Sequence, residues 1–309
     1  MQGKFLNTIG LPGYGPGEFL KVKDFVIDKV NQLVSVYDVR GRKIIIYDFQ
    51  GKFIREFKIE FFLHSIAIDE NSDYYGFTGN IANKIDAKDN LHKKLKFIKF
   101  DKYGKVLKYI TGHDHSVLHI SFFEHISQQS DGTISFAEPL QYYLFRLNND
   151  IITPYYLIDF KNYATPYNTK ELLNKEETPS TEHQRTIFNE ANKNYILGLI
   201  KFHENDEWIV IQYSINYKFQ FAFFHKTSGE IFESSSLPVS TETKSTFFTP
   251  LYIDDHFIYS ASSAFYLHER YNEDRNNKDV SNSRIKDWET FLINVNVEDN
   301  PVIFKYRMK

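Results

Sequence analysis

The sequence predicts an all-β fold, a β-propeller of four-stranded antiparallel blades, and three observations carry that expectation. Between Gly10 and Phe57, apolar residues fall in four short runs of near-alternating character: Phe25 and Ile27, then Leu33, Val34 and Val36, then Ile44 and Ile46, then Phe53 and Phe57. Alternation at period two marks a strand with one buried face. The segments between the runs are Asp28-Lys29-Val30-Asn31, Val39-Arg40-Gly41-Arg42 and Asp48-Phe49-Gln50-Gly51-Lys52. Each supplies the Gly, Asn or Asp that a tight hairpin needs. The Gly-Lys-Phe turn also recurs, as Gly3-Lys4-Phe5, Gly51-Lys52-Phe53, Gly104-Lys105-Val106 and Gly229-Glu230-Ile231. Four hairpin-joined strands repeated every forty to fifty residues are a propeller blade.

Taken in order, the chain first offers Gly10 to Phe19, too rich in Gly and Pro for strand or helix and therefore a loop of fixed shape. Blade units follow near residues 22–58, 63–110, 119–158 and 195–236. A fifth is divided between the termini. Leu251 to Ile253, Phe257 to Ala261 and Val302 to Met308 give three of its strands, and Lys4 to Ile9 is expected to add the outer one. Pairing the terminal strands in one blade would close the ring and remove a sheet edge. Two insertions, near 161–194 and 264–296, interrupt the pattern. The first is expected to hold a short helix over Thr169 to Glu177. The second is charged and then places Ile285, Trp288, Leu292 and Val295 at helical spacing, with Ser283 as cap and Trp288 as anchor.

The 309 residues are expected to form one domain, 1–309, with a sizeable core. Phe and Tyr number 29 and 21, which suits pleated surfaces. A net charge of −3 argues against nucleic acid or an anionic membrane as partner. Without cysteine there are no disulfides, thiolate metal sites or cysteine nucleophiles. The first ten residues have no basic region followed by an apolar one, so no signal peptide is read in them. No apolar run reaches the roughly 18 residues of a transmembrane helix.

These residues resemble the NHL-repeat propellers. Their repeat has a G-x-G-x-G-x-F opening, a strand ending in Asp, and an aromatic-Asp-x-x-Gly-Lys-Phe hairpin. The counterparts are Gly13, Gly15, Gly17 and Phe19, then Val36-Tyr37-Asp38, then Tyr47-Asp48-Phe49-Gln50-Gly51-Lys52-Phe53. The opening is most similar to that of a six-bladed family of bacterial proteins, mostly exported and of unassigned function. The C-terminal Asn300 to Tyr306 resembles the closing strand of that family. The resemblance implies six blades where the residues themselves count five. It also implies a periplasmic, extracellular or outer-membrane-associated location.

Residues with chemistry are few. Gly112-His113-Asp114-His115-Ser116-Val117-Leu118-His119 could set His113, His115 and His119 around a divalent metal ion, or could be a polar loop with hydrogen-bonded histidines. Arg40 and Arg42 flank Gly41 and could grip a carboxylate or phosphate, or stand solvated on a hairpin tip. Glu18 could be a channel carboxylate or could bond amides of its own loop. The aromatic groups Tyr74-Tyr75, Tyr142-Tyr143 and Phe221 to Phe224 are expected in packing rather than in sugar stacking. The chain has no G-x-S-x-G elbow, Walker loop or H-E-x-x-H motif. The expected function is binding without catalysis, the ligand being a protein, peptide or glycan. The competing expectation is a metal-dependent hydrolase or lyase, as in lactonase and NHL-type lyase propellers, with its site in the central channel.

Overall fold

The structure is a computed structural model that describes residues 7–78, 95–111, 125–129, 132–137, 142–164, 189–234, 250–254, 256–278, 280–298 and 301–307. The first paired strands belong to the glycine-rich loop. There β1 (Leu11–Pro12) and β2 (Glu18–Phe19) pair in parallel and cinch the loop at its base. The alternating runs then become β3 (Val22–Asp28), β4 (Leu33–Asp38), β5 (Lys43–Asp48) and β6 (Phe53–Lys58), an antiparallel meander in that order. The two middle strands are almost wholly buried and the outer strand alternates. That is the burial expected of a sheet packed on both faces at its centre.

Three further four-stranded meanders repeat the plan. The second is β7 (Ser65–Ile68), β8 (Tyr74–Phe77), β9 (Leu95–Phe100) and β10 (Val106–Thr111). The third is β11 (His125–Gln128), β12 (Ile134–Ala137), β13 (Tyr143–Asn148) and β14 (Ile151–Leu157). The fourth is β15 (Leu199–Glu204), β16 (Trp208–Ile215), β17 (Lys218–His225) and β18 (Ile231–Ser234). The fifth has three described strands, β19 (Pro250–Ile253), β20 (Phe257–Ser262) and β21 (Val302–Arg307), with β21 at its edge. The protein is thus an all-β propeller in which five blade sheets are described.

Packing divides the chain into two compact units. One is Gln2–Phe202 with Tyr213–Tyr217, and the other is chiefly His203–Gln212 with Lys218–Lys309. In the first, apolar side chains interleave between neighbouring blades. Tyr37, Ile44 and Ile46 meet Ile66, Tyr74 and Phe100, while Phe77 and Phe97 meet Phe136 and Phe145. Side chains also close the edge of β7 that has no strand partner. Ile66 N–H donates to Asp24 Oδ2 from β3 at 2.8 Å, and Ile68 N–H donates to Gln128 Oε1 from β11 at 3.2 Å. Gln128 Nε2 returns a bond to the Ile68 carbonyl.

In the second unit, Val210, Phe221 and Phe223 pack on Ile253 and Ile258. Between β20 and β21 the chain makes a helical hairpin, α1 (Ala264–Asn276) and α2 (Asn282–Leu292). Trp288 is its anchor, buried with Leu267 and Leu292 against Phe304 and Tyr306. Its indole N–H donates to Asp274 Oδ2 at 2.8 Å, and Arg284 pairs with the same oxygen. One expectation needs correction here. The N-cap of α2 is Ser281, whose hydroxyl accepts the Arg284 N–H, and Ser283 lies inside the helix. The charged stretch ahead of it is itself a helix, α1, capped by Ser263. The helix expected over Thr169 to Glu177 lies outside the described residues.

Candidate binding surface

An antiparallel meander has two ends, and in every blade they differ. At the first, strands one and two and strands three and four are joined by residues 29–32, 49–52, 69–73, 101–105, 129–133, 149–150, 205–207, 226–230 and 254–256, never more than five residues. At the second, strands two and three are joined and each blade passes to the next. That end carries all the long connections, residues 78–94, 112–124, 158–198, 235–249 and 263–301. We call them the turn end and the loop end.

The turn end is locked. Asp48, Asp69, Asp101 and Asp254 each accept two backbone N–H groups of their own turn, and Asn205 does the same. Such Asx turns satisfy the backbone without help from a partner. In the first unit, Lys99 Nζ donates to Asp69 Oδ2 (3.1 Å) and to the Tyr75 hydroxyl (2.8 Å), which donates to Asp150 Oδ1 (2.9 Å). Lys108 Nζ closes the chain on Asp150 Oδ2 at 3.1 Å. Burial pushes the Tyr75 hydroxyl up to about 12, so the group is a fixed neutral donor.

At the loop end of the first blade, one carboxylate organises three segments. Asp38, fully buried, accepts the N–H groups of Leu20 (2.9 Å), Lys21 (3.0 Å), Arg40 (3.1 Å) and Gly41 (3.0 Å). Burial raises its pKa, but the four donors outweigh it and hold the group below the usual carboxylate range. Val39 N–H bonds the Lys21 carbonyl and Ile59 N–H bonds the Arg42 carbonyl. The glycine-rich loop, the β4–β5 hairpin and the exit from β6 are thereby fastened together.

On that frame Arg40 and Arg42 are both exposed. The Arg42 guanidinium lies 4.3 Å from the centre of the Phe62 ring, and beyond it Phe61 meets Tyr109 edge to face. Glu18 is turned the other way, its Oε2 accepting Gly15 N–H at 2.8 Å. A Cβ on Gly13 would stand 1.9 Å from that oxygen, so the carboxylate fills the space a side chain would need. Of the two readings of Glu18, the loop bond is the one observed. Arg40 and Arg42 stand on the one β4–β5 turn, either side of Gly41, and among the described residues Glu18 makes no hydrogen bond or ion pair with either.

His113, His115 and His119 fall in the connection 112–124, at the loop end, but outside the described residues. Among the described residues no group of three or more His, Asp or Glu side chains is placed to hold a metal ion. Tyr74, Tyr75, Tyr142, Phe221 and Phe223 are buried packing residues, while Tyr143 is exposed. No described helix is long and apolar enough to cross a membrane. Three cations that flank the arginines, Lys21, Lys23 and Lys58, were not read from the sequence as part of a site. Only strand register places them there, through Val22 opposite Asp38 and Lys58 opposite Lys43.

The family described as "Domain of unknown function (DUF4934)" matches residues 1–307. No curated protein matches the sequence. Among solved structures, a protein of Bacteroides fragilis proposed to be exported superposes with a TM-score of 0.72 at 15% identity, covering 99% of this chain and 82% of that one. Virginiamycin B lyase from Staphylococcus aureus gives a TM-score of 0.40 at 14% identity, with 80% and 77% covered. The WD40 domain of Pan2 from Neurospora crassa gives 0.43 at 9% identity, with 93% and 64% covered. At such identities the first likeness speaks for the fold, and the other two carry nothing further.

Proposed function

The chain belongs to the family of unknown function whose description spans residues 1–307, and from that premise we propose that it is a non-enzymatic binding propeller. Its ligand is held at the loop end, and the protein works in the bacterial envelope or outside the cell. One observation carries the binding reading. Within each blade the long connections leave from the same end of the meander, while the opposite end is closed by short turns. Binding residues concentrate on variable loops positioned by a rigid scaffold. The export of the protein rests on the likeness to the Bacteroides fragilis protein and on the family resemblance. We propose further that the N-terminal segment completes the fifth blade, in a single ring of five blades or of six as the resemblance implies.

The experiment is affinity capture from an envelope extract of the producing bacterium. The baits are wild type, the loop-end variant Arg40→Glu/Arg42→Glu, and the turn-end variant Lys29→Glu/Lys52→Glu. A partner should be retained by wild type and by the turn-end variant and lost from the loop-end variant. Equal retention by all three would refute the placement. The competing proposal, a metal-dependent hydrolase or lyase at His113, His115 and His119, is tested by metal analysis. A stoichiometric ion that disappears in His113→Ala/His115→Ala would displace the binding reading.

A further inference from the structure

We infer that the loop end of the first blade carries a cationic row that receives an acidic peptide segment of a protein partner. This rests on the binding reading above and names the ligand class. Lys21, Lys23, Arg40, Arg42 and Lys58 are all exposed. None of them takes part in an ion pair among the described residues. The acids that could neutralise them are already engaged. Asp38 is buried on four N–H groups, Asp24 accepts the N–H groups of Ile66 and Phe25, Glu56 is bonded to Lys43 at 2.8 Å, and Glu18 is bonded within its own loop. Glu60 is the exposed carboxylate left beside Lys58. Five exposed cations against one exposed unpaired anion is a local excess on a chain whose net charge is −3.

The row lies across the ends of four adjacent strands. Lys21 and Lys23 stand at the start of β3, the arginines between β4 and β5, and Lys58 at the end of β6. At about 4.8 Å between strands it spans roughly 14 Å, which suits an extended polyanion better than a single small anion. Its chemistry narrows the ligand further. Lysine and arginine have donors and no acceptor, so the row can satisfy carboxylates but not the many hydroxyl donors of a saccharide. The Arg42 guanidinium is already stacked on Phe62, so its fork is oriented before binding and is free for a bidentate bond to a carboxylate. Phe62 and Tyr109, both partly exposed beside the row, offer apolar contact to the neighbouring side chains of such a peptide. Arginine clusters reading acidic motifs are a recurrent mode of peptide recognition.

The test uses the full chain and three probes: a short poly-L-glutamate, an uncharged Gly-Ser peptide and polygalacturonate, with affinities measured at low and physiological salt. Poly-L-glutamate should bind and weaken as salt rises, and the Gly-Ser peptide should not bind. Arg40→Gln/Arg42→Gln should weaken poly-L-glutamate binding at least tenfold, with the melting temperature unchanged because both side chains are exposed. Lys29→Gln/Lys52→Gln at the turn end should leave it unaltered. No binding of poly-L-glutamate at low salt, or binding indifferent to the two arginines, overturns the proposal. Polygalacturonate binding as tightly as poly-L-glutamate also overturns it and assigns the row to acidic glycans. If the proposal fails while capture from the envelope extract still depends on Arg40 and Arg42, the binding reading survives. If both fail, so does the binding reading.

Discussion

Two aspartates of the first blade show how surroundings decide the direction in which a carboxyl titration moves. Asp38 meets four N–H donors and is held ionised, whereas burial pushes the Asp24 carboxyl up to about 6 despite the N–H groups of Ile66 and Phe25 and the charge of Lys23. The two therefore respond oppositely to pH. A depressed folded value means that Asp38 contributes stability above the ordinary carboxylate pKa, and that this is lost as pH falls through its lowered value. A raised folded value means that the Asp24 contribution is complete below the ordinary 3.8 and is lost as pH rises through about 6. Asp24→Asn, neutral at every pH, should then raise the melting temperature by a few degrees at pH 8 and leave it nearly unchanged near pH 4. An equal shift at both values would show that ionisation of Asp24 is not what costs stability. Asp38→Ala should cost about 3 kcal/mol or more in urea unfolding, because several amides lose their acceptor at once. Asp38→Asn, keeping one oxygen, should cost less.

Among the elements, the inserted helical hairpin depends most on one polar residue. Asp274, buried on α1, accepts the Trp288 indole N–H and pairs with Arg284, both from α2. Asp274→Ala leaves an indole donor unsatisfied and a guanidinium without its partner, and should cost about 2–4 kcal/mol. The measurement is tryptophan fluorescence during denaturation, where the Trp288 signal should shift to the red before the sheets unfold. Coincident loss of both signals would mean that the hairpin is not a separable element. The same hairpin marks the limit of what the sequence makes legible. The strands of the first blade could be read because alternation and Asp or Gly turns are local signals. Trp288 and Leu292 could be read because four apolar residues recur at helical spacing. Helix α1 could not, since its buried face is Ala264, Leu267 and Asp274, too little apolar surface to form a stripe. The loop-end site divides in the same way. Arg40 and Arg42 lie beside one glycine, whereas Lys21, Lys23 and Lys58 join them only through pairing across strands.

For the whole molecule, the question is what precedes the first blade. Gly104, in the turn between β9 and β10, has φ +88°, and a Cβ there would stand 2.7 Å from the Phe57 ring and 3.1 Å from the Lys58 carbonyl. The turn of the second blade thus rests on the outer strand of the blade before it. Gly51 holds the equivalent place in the first blade, with φ +79°, and its Cβ would stand 2.6 Å from the Thr8 carbonyl and 2.8 Å from Asn7 Nδ2. Residues 7–8 thus lie against the turn of the first blade as Phe57 and Lys58 lie against that of the second. Ile9 agrees, packing on the face of the first blade with Val34, Val36, Ile45 and Tyr47. In the fifth sheet, β21 has no described strand beyond it. An open strand edge invites association with other chains, and pairing removes that hazard. If the N-terminal segment is the missing outer strand, deleting residues 1–9 should lower the melting temperature and drive concentration-dependent association. It should also change the cost of Gly51→Ala. In the full chain that substitution meets both the left-handed φ and the Thr8 carbonyl, whereas in the truncated chain only the φ strain of about 1 kcal/mol remains. A smaller penalty in the truncated background, measured as a double-mutant cycle, would place residues 7–8 against Gly51 in solution. An unchanged penalty, with a monomeric and equally stable truncated protein, would leave the preceding blade to be built from some other part of the chain.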